Sequence, residues 1–485
     1  MPFNIFKVSE VICLHFQNLS DSKILESTPP RRGADFHIFN KSGVIWYDQR
    51  SKHLLKTNRT IEFASQSEVY KFSTYKIMLL IITLVCLLTV VYFMRRIWSM
   101  KIPAGHACSK NPRFYKSTLL TFRGLQFFNF FWNRSVYLQK HYGMPKLLRY
   151  IDTVSEPKYM KNKDEFVTKS GIKVTCIRPD YLKSLLKDFK IYRFVPKVLR
   201  ENDDGRKITT PRKTLIYYHG GGMVFGPAKG GFPIAVTKLL EDYQIFSIDY
   251  RLSPEYAFPI PVNDCVEATR YLLNNRHKYQ IGEFGCYGES AGGHLALSVN
   301  MTIDYMKEFG VKPKLISSIV PMAQCTNFKT NSFLDEQRQP EMAGYLVKKC
   351  WLAFAGVDMY NEDIEFGKIS GHNYQDFDKL RMLMKRDDFC PGLASDRAFL
   401  KLLKNTEVMS VSVADFDVLE DDGVGVAERL KEVKRSYNLD TEVKLVRIKN
   451  CGHMFMHLNQ LCSKSIGYKE YNEGFEQMVN NTLRF

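Results

Sequence analysis

From residue 172 onward, short apolar runs alternate with helical patterns along the chain. The runs are rich in β-branched and aromatic residues and have few polar interruptions, which is typical of strands buried on both faces of a sheet. Strand and helix in alternation predict an α/β fold with a doubly wound, mostly parallel sheet. The predicted strands are 214–219, 244–249, 284–288, 315–322, 408–414 and 442–448, and the predicted helices lie near 229–241, 262–275, 291–308, 424–436 and 466–482.

Two further stretches have helical patterns outside this alternation. The longest interval between predicted strands, about 323–405, is helical around 341–355 and 397–404, so we interpret it as a helical cap inserted over the sheet. Residues 95–160 are rich in aromatic side chains and predict short N-terminal cap helices. The main domain, including the inserted cap, is therefore expected to cover 161–485.

Residues 77–94 form an uninterrupted apolar segment of 18 residues without a charge. As a helix, the segment would be about 27 Å long, close to the hydrocarbon thickness of a thin bilayer. Tyr75 and Trp98 flank it as interfacial aromatic residues. A buried core helix would keep a polar stripe, and a cleaved signal peptide would not continue into Arg95 and Arg96. The segment therefore predicts a single transmembrane anchor.

Residues 1–76 have little periodic pattern and are interpreted as an N-terminal extension. The apolar segment starts one residue before Met78, which suggests that residues 1–77 are absent from the native chain. Five Lys/Arg follow the segment within about 20 residues and three precede it, a bias that favours a cytosolic C-terminal side.

Composition and charge exclude several protein classes. Apolar residues make up 45% and charged residues 25% of the chain, the balance of a globular protein. The net charge of +18 is concentrated in residues 95–213, which hold 27 Lys/Arg against 9 Asp/Glu. Such a stretch beside a membrane anchor could bind anionic lipid head groups, and the alternative is a solvated basic face. Nucleic acid is not a predicted partner. The eleven cysteines form no CxxC pair and no zinc-like spacing, so neither a metal nor another cofactor is expected.

A GxSxG motif lies between a predicted strand and a predicted helix. It reads Gly288-Glu289-Ser290-Ala291-Gly292. The strand-to-helix turn is so tight that the residues two positions from the serine must be small, and it exposes the serine hydroxyl at the helix N-terminus. Ser290 is therefore the candidate nucleophile.

The run His219-Gly220-Gly221-Gly222 follows the predicted strand 214–219 and could supply backbone N–H groups to a developing oxyanion. Fixed amide donors in a dry site stabilise the negative charge that an acyl transfer builds. We assign the N–H groups of Gly220, Gly221 and Ala291 to this oxyanion hole. His219 is expected to hold the loop, and the alternative is an ordinary flexible glycine loop.

A serine hydroxyl needs a base, and the base needs a carboxylate to orient it. Both are expected downstream, in the order Ser, Asp, His. Asp417 follows the strand 408–414 and His453 follows the strand 442–448, which makes them the candidates. The alternative base is His457, and the competing acids are Asp415, Asp421 and Asp422.

These motifs resemble those of the hormone-sensitive-lipase group of α/β-hydrolases, and within it the arylacetamide deacetylase family. The matching segments are HGGG at 219–222, YRLSPEYAFP at 250–259, GESAGGHLA from Gly288, and DVLEDDG at 417–423. The resemblance covers roughly residues 80–485 and implies an α/β-hydrolase fold, with Asp417 and His453 completing the triad. It also implies a membrane protein of the endoplasmic reticulum with a lumenal catalytic domain, which acts on acetyl esters, arylacetamides or neutral lipids without a cofactor.

The chain departs from the family pattern at a few positions. Val224 and Ala414 stand where lumenal relatives have a cysteine pair, and Met454 stands where a small residue is usual. The expected function is a serine carboxylic ester hydrolase that acts on small-molecule or lipid esters. The alternative is an inactive ligand-binding protein like the esterase-like gibberellin receptors, which lack the histidine that this chain retains. A peptidase would use the same triad and is disfavoured by the family resemblance alone.

Overall fold

A computed structural model describes most of the chain after residue 134. The described residues there are 135–179, 189–201, 210–324, 331–335, 338, 344–360, 374–457 and 468–485. Before residue 135, the structure describes only 38–40, 43–45 and scattered positions between 80 and 116. The chain divides into two compact units, Met1–Arg96 and Ile97–Phe485.

The first unit contains a short antiparallel pair of strands, β1 (Ile38–Asn40) and β2 (Gly43–Ile45). The rest of the predicted extension 1–76 lies outside the described residues, as does half of the predicted span 77–94. Among the residues that the structure describes, no helix combines the length and the apolar character that crossing a bilayer requires. The transmembrane anchor therefore stays a prediction.

The second unit is built around a sheet that has nine strands in its described part. In spatial order these strands run β11, β10, β9, β8, β6, β7, β5, β4, β3. All pairs from β11 to β7 are parallel, and the pairs that involve β5, β4 and β3 are antiparallel. The strands are β3 (Glu165–Val167), β4 (Lys173–Ile177), β5 (Lys190–Val195), β6 (Arg212–Tyr218), β7 (Tyr243–Asp249), β8 (Ile281–Glu289), β9 (Leu315–Ile319), β10 (Val408–Phe416) and β11 (Glu442–Gly452).

Helices connect the strands and cover both faces of the sheet. They are α1 (Val136–Tyr142), α2 (Met144–Ser155), α3 (Lys197–Glu201), α4 (Gly231–Leu239), α5 (Ile260–Asn274), α6 (Ala291–Thr302), α7 (Tyr305–Phe309), α8 (Asn331–Leu334), α9 (Gly344–Ala355), α10 (Tyr374–Leu383), α11 (Asp396–Lys404), α12 (Glu420–Ser436) and α13 (Tyr468–Thr482). The predicted mostly parallel, doubly wound sheet is confirmed, and each strand and helix predicted from residue 214 onward has its counterpart.

Alternation along β6 shows why the sheet needs helices on both faces. Ile216 and Tyr218 pack into one core with residues of α5 and α6. Leu215 and Tyr217 point the other way, into a core that includes residues of α4 and α13. Because both faces of this central parallel strand are buried, its residues 215–218 form a continuous apolar run.

The described residues between β9 and β10 form helices and no strand. The role of this region, about 323–405, as a cap over the sheet stays a prediction. Helix α9 is the main element of this region and is almost entirely buried. One of its side chains, Cys350, packs against the loop that follows β6, where its sulfur lies beside the Cα of Gly222. The cap therefore touches the glycine run directly.

Candidate active site

The serine of the GxSxG motif lies at the turn between β8 and α6. Ser290 has φ +57°, a left-handed conformation that is uncommon for a residue with a side chain. Its N–H donates to the Ile319 carbonyl at 2.9 Å, and its own carbonyl accepts from the amides of His294 and Met322, each at 3.1 Å. The strained turn is thus held from three directions, as expected for a nucleophile elbow.

The two glycines of the motif are required by close backbone approach. A Cβ on Gly288 would overlap the Gly292 carbonyl, and a Cβ on Gly292 would overlap the carbonyl of Tyr218. These overlaps are the steric reason why both positions of the motif are glycine.

The three predicted triad side chains meet at one edge of the sheet. His453 Nε2 lies 3.0 Å from Ser290 Oγ, and His453 Nδ1 lies 2.8 Å from Asp417 Oδ2. Asp417 is fully buried, His453 is 2% exposed and Ser290 is 8% exposed. Each residue directly follows a parallel strand, β8, β10 or β11, and parallel strands bring their carboxyl ends to the same edge.

The competing acids all have other partners. Asp415 accepts from the amide of Asn450 at 3.0 Å, and Asp421 accepts from the amide of Ser332 at 2.8 Å. Asp422 accepts from the amides of Ala323 and Gln324. Of these carboxylates, only Asp417 is hydrogen-bonded to His453. The carboxylate of Asp417 also accepts from the Leu419 amide at 2.9 Å, which fixes its plane.

The alternative base, His457, lies beside Glu289. Its Nε2 is 3.9 Å from Glu289 Oε1, and its side chain is 38% exposed. The hydrogen bond to the Ser290 hydroxyl is made by His453.

The glycine loop, residues 219–226, offers amide donors, but they differ from those predicted. The N–H of Gly220 donates to Glu289 Oε1 at 2.8 Å, so it is not available to an oxyanion, and its assignment to the hole is corrected. Within the described part of the chain, the N–H groups of Gly221, Gly222 and Ala291 have no acceptor. Gly222, which the sequence analysis named only as part of the motif, therefore takes the place of Gly220 as a candidate donor.

Peptide planarity explains which amides are left free. The Gly221 N–H shares a plane with the Gly220 carbonyl, and that carbonyl accepts from His219 Nδ1 at 2.8 Å. The Gly222 N–H shares a plane with the Gly221 carbonyl, which accepts from the amides of Val224 and Phe225, each at 3.0 Å. In a trans peptide the N–H points away from the carbonyl, so each contact directs one free donor.

His219 holds the loop, in agreement with its predicted role. Its ring stacks on Tyr250 with centroids 4.1 Å apart, and it is 2% exposed. Burial lowers the pKa of His219 to about 4, so the ring is neutral at physiological pH and donates through Nδ1 alone. The hydroxyl of Tyr250 donates back to the His219 carbonyl at 2.7 Å.

Glu289 has a larger part in the site than the sequence indicated. It is 1% exposed, and its Oε1 accepts from both Gly220 and the Tyr217 hydroxyl, the latter at 2.7 Å. Burial raises the pKa of Glu289 to about 8. The residue beside the nucleophile is therefore a buried anchor for the glycine loop.

No cluster of three or more His, Cys, Asp or Glu side chains is placed to hold a metal ion in the part of the chain that the structure describes. The six described cysteines, at 176, 265, 286, 350, 390 and 451, are free thiols.

Comparison with known proteins decides the family. A family model described as alpha/beta hydrolase fold matches residues 215–457, which include Ser290, Asp417 and His453. The chain belongs to the alpha/beta hydrolase fold family. The match begins within β6 and ends after β11, so it contains the glycine loop and all three triad side chains and excludes helix α2.

Individual relatives agree with this assignment. The chain is 27% identical to rat (Rattus norvegicus) neutral cholesterol ester hydrolase 1 over 271 residues, 47% of this chain and 65% of that protein. It is 25% identical to rabbit (Oryctolagus cuniculus) arylacetamide deacetylase over 314 residues, 57% of this chain and 76% of that protein. The predicted resemblance to the arylacetamide deacetylase family is confirmed, and the chain spans about two thirds of the length of the cholesterol ester hydrolase. Among solved structures, carboxyl esterase 2 from Tuber melanosporum is 21% identical with a TM-score of 0.46, and the match covers 68% of this chain and 93% of that one.

Proposed function

We propose that this protein is a serine hydrolase that cleaves carboxylic esters through an acyl-enzyme. The observation that carries the proposal is the buried relay from Asp417 through His453 to Ser290, with contacts of 2.8 and 3.0 Å. These separations allow proton transfer between nucleophile and base without any rearrangement.

The contacts fix the direction in which the proton moves. The Asp417 carboxylate accepts from Nδ1–H of His453, so Nε2 has a free lone pair and accepts from the Ser290 hydroxyl. As Ser290 Oγ bonds to the carbonyl carbon, its proton passes to Nε2, and His453 then returns that proton to the departing alkoxide. Water attacks the acyl-enzyme, gives its proton to Nε2, and the proton returns to Ser290 Oγ as the acid is released.

Negative charge on the former carbonyl oxygen needs donors that are already oriented. The N–H groups of Gly221, Gly222 and Ala291 are proposed for this role. Removing one such donor in a serine hydrolase typically lowers kcat by about 10²- to 10³-fold. Because Ala291 is the first residue of α6, its amide has no partner within the helix.

A fluorophosphonate probe tests the proposal directly. We expect the purified full-length protein to be labelled at Ser290, because the probe phosphonylates only an activated serine. Ser290→Ala should abolish both labelling and the hydrolysis of p-nitrophenyl acetate. Equal labelling of wild type and Ser290→Ala, or no labelling of the wild type, would contradict the proposal. The second of these outcomes would instead support the alternative, an esterase-like ligand-binding protein.

The substrate class is proposed from the relatives, whose names refer to cholesterol esters and arylacetamides. Acetyl esters, arylacetamides and neutral lipid esters are therefore the classes to compare. Profiling a lipid extract with wild type and with Ser290→Ala would identify substrates as species that only the wild type consumes.

The membrane anchor at 77–94 and a lumenal catalytic domain in the endoplasmic reticulum are also proposals. Their support is the uncharged apolar segment and the family resemblance. In sealed microsomes, a C-terminal epitope tag should be protected from added protease and become sensitive when detergent is present. Digestion without detergent would place the C-terminal side in the cytosol, as the count of basic residues suggests.

A further inference from the structure

Helix α2 makes direct hydrogen bonds to the glycine loop. Arg149 donates through Nε to the Val224 carbonyl at 2.7 Å and through Nη2 to the Ser253 carbonyl at 2.5 Å. One turn further along the helix, Asp152 Oδ2 accepts from the Gly226 amide at 2.9 Å. The two side chains lie three residues apart and therefore share one face of α2.

The helix itself is firmly seated. Met144 is 1% exposed and Leu148 is 8% exposed, and both belong to the core that contains one face of β6. Arg149 and Asp152 are therefore carried by a packed element, which can hold them in position for the loop.

The contacted loop atoms belong to the turn that orients the free amides. The N–H groups of Val224 and Phe225 both donate to the Gly221 carbonyl, and this carbonyl sets the direction of the Gly222 N–H. The Ser253 amide donates to the Met223 carbonyl at 2.7 Å, so the second loop that Arg149 binds is joined to the same turn. Displacing residues 223–226 would rotate the peptide plane that carries a candidate oxyanion donor.

We propose that α2 is the outer support of the oxyanion site and that Arg149 and Asp152 are positioning residues for it. This inference rests on the proposed esterase function. Helix α2 lies before the segment matched by the family model, which starts at residue 215, so this support is read from the contacts of this chain.

Arginine suits this position for a geometric reason. Its guanidinium presents several N–H donors in a fixed plane, so one side chain can bind two carbonyls and a carboxylate, here Glu255 at 2.9 Å. Lysine has one nitrogen at the end of a flexible stem and cannot reproduce this arrangement. Arg149→Lys should therefore restore little of the kcat that is lost in Arg149→Met. By contrast, Asp152→Asn keeps an oxygen that can accept from Gly226.

The test measures two quantities on the full-length chain, because a purely structural role would not change both of them by the same factor. The first is kcat and KM for p-nitrophenyl acetate. The second is the inhibition constant of an aryl trifluoromethyl ketone. In that adduct, Ser290 Oγ bonds to the ketone carbon, the carbonyl electron pair moves to oxygen and the serine proton moves to His453, so the oxyanion occupies the hole.

For Arg149→Met and Asp152→Ala, we expect kcat to fall by about 10- to 100-fold, because small misplacements of a catalytic group have costs of this order. The inhibition constant should rise by the same factor while KM changes little. Asp152→Asn should recover most of the kcat lost in Asp152→Ala. If Arg149→Met fails to fold, the Asp152 pair still decides the matter, since the two variants differ in whether an oxygen remains to accept from the Gly226 amide.

The matched control is Arg178→Met, which removes an arginine from an exposed bidentate pair with Asp164 at 2.7 and 2.8 Å. It should leave both readouts unchanged. The inference is overturned if Arg149→Met and Asp152→Ala keep the wild-type kcat and inhibition constant. It is also overturned if kcat falls as far in Asp152→Asn as in Asp152→Ala. Failure of the proposed function would be seen separately, as a wild-type protein that neither hydrolyses the ester nor reacts with a fluorophosphonate.

Discussion

The side chains of the proposed triad stand directly at the ends of β8, β10 and β11, whereas two of the three proposed oxyanion donors, Gly221 and Gly222, lie on a loop that runs from β6 to α4 without regular structure. The end of β8, before Ser290, is paired on both sides, with β6 and β9, and the ends of β10 and β11 are paired with each other, so the sheet itself positions the proposed triad. The glycine loop depends on separate contacts: His219 and Glu289 from the sheet side, Cys350 from the cap, and Arg149 and Asp152 from α2.

This difference indicates how substitutions should behave on the two sides. On the triad side, loss of a single group removes a chemical step. On the loop side, loss of a contact should misplace donors that are still present, so the effects should be smaller and should depend on how many contacts remain.

Asp417→Asn should have the largest effect. The amide cannot accept from Nδ1–H of His453 in the same way as the carboxylate, so the imidazole loses its required tautomer. In a serine protease, the equivalent change lowers kcat by about 10⁴-fold. We expect a loss of this order in ester hydrolysis, measured as kcat on p-nitrophenyl acetate. Asp415→Asn is the control and should retain near-wild-type kcat, because Asp415 is bonded to Asn450. A large loss in the control would mean that the acid is misassigned.

Gly222→Ala should have the next largest effect. Its φ of +64° disfavours a side chain, and a Cβ there would overlap the sulfur of Cys350. The loop must shift, so a loss of about 10²-fold in kcat is expected from a displaced donor. Adding Cys350→Ala removes the overlap with the sulfur but keeps the Cβ of residue 350, which lies 2.7 Å from the added methyl group, and it leaves the unfavourable φ, so the double variant should recover only part of the loss. Full activity in the single variant would show that the Gly222 amide is not a donor in the reaction.

Glu289→Ala should have a smaller effect on activity. It leaves the Gly220 amide and the Tyr217 hydroxyl buried without their acceptor, which typically costs about 1–3 kcal/mol for each group. We expect kcat to fall by about tenfold and thermal stability to fall with it. Glu289→Gln keeps an accepting oxygen and should recover most of the kcat and most of the thermal stability. An equal loss of kcat and stability in the two variants would argue against the anchoring contact.

Strands β6 to β10 of the parallel part could be predicted because strands buried on both faces have apolar runs, whereas most residues of β11 are exposed or half-buried. The antiparallel strands β3 to β5 were not located individually, since β4 has only one fully buried side chain among its five residues. A half-exposed strand has a mixed sequence that resembles a loop.

The triad could be predicted because each of its residues directly follows a recognisable strand. The assignment of Gly220 to the oxyanion hole was wrong because the direction of that amide is set by Glu289, which is 69 residues away along the chain. Arg149 could not have been found from the sequence, because its partners in the glycine loop and the neighbouring loop are the backbone carbonyls of Val224 and Ser253, which any loop sequence provides.

Glu289 should also affect stability as a function of pH, with little effect on activity. Burial raises the pKa of Glu289 to about 8 from an ordinary value of 4.5. Between these values the folded state binds more protons than the unfolded state, so Glu289 makes the protein less stable as pH rises. Its contribution is fully present below about pH 4.5 and is lost by about pH 8, at no more than about 1.4 kcal/mol per pH unit.

Glu289→Gln cannot titrate, so its free energy of unfolding relative to wild type should increase from pH 5 to pH 8. Asp422, whose pKa burial also raises to about 8, is present in both proteins and cancels in this difference. Parallel curves for the two proteins in urea unfolding would mean that Glu289 remains ionised, with the Gly220 and Tyr217 donors stabilising its charge.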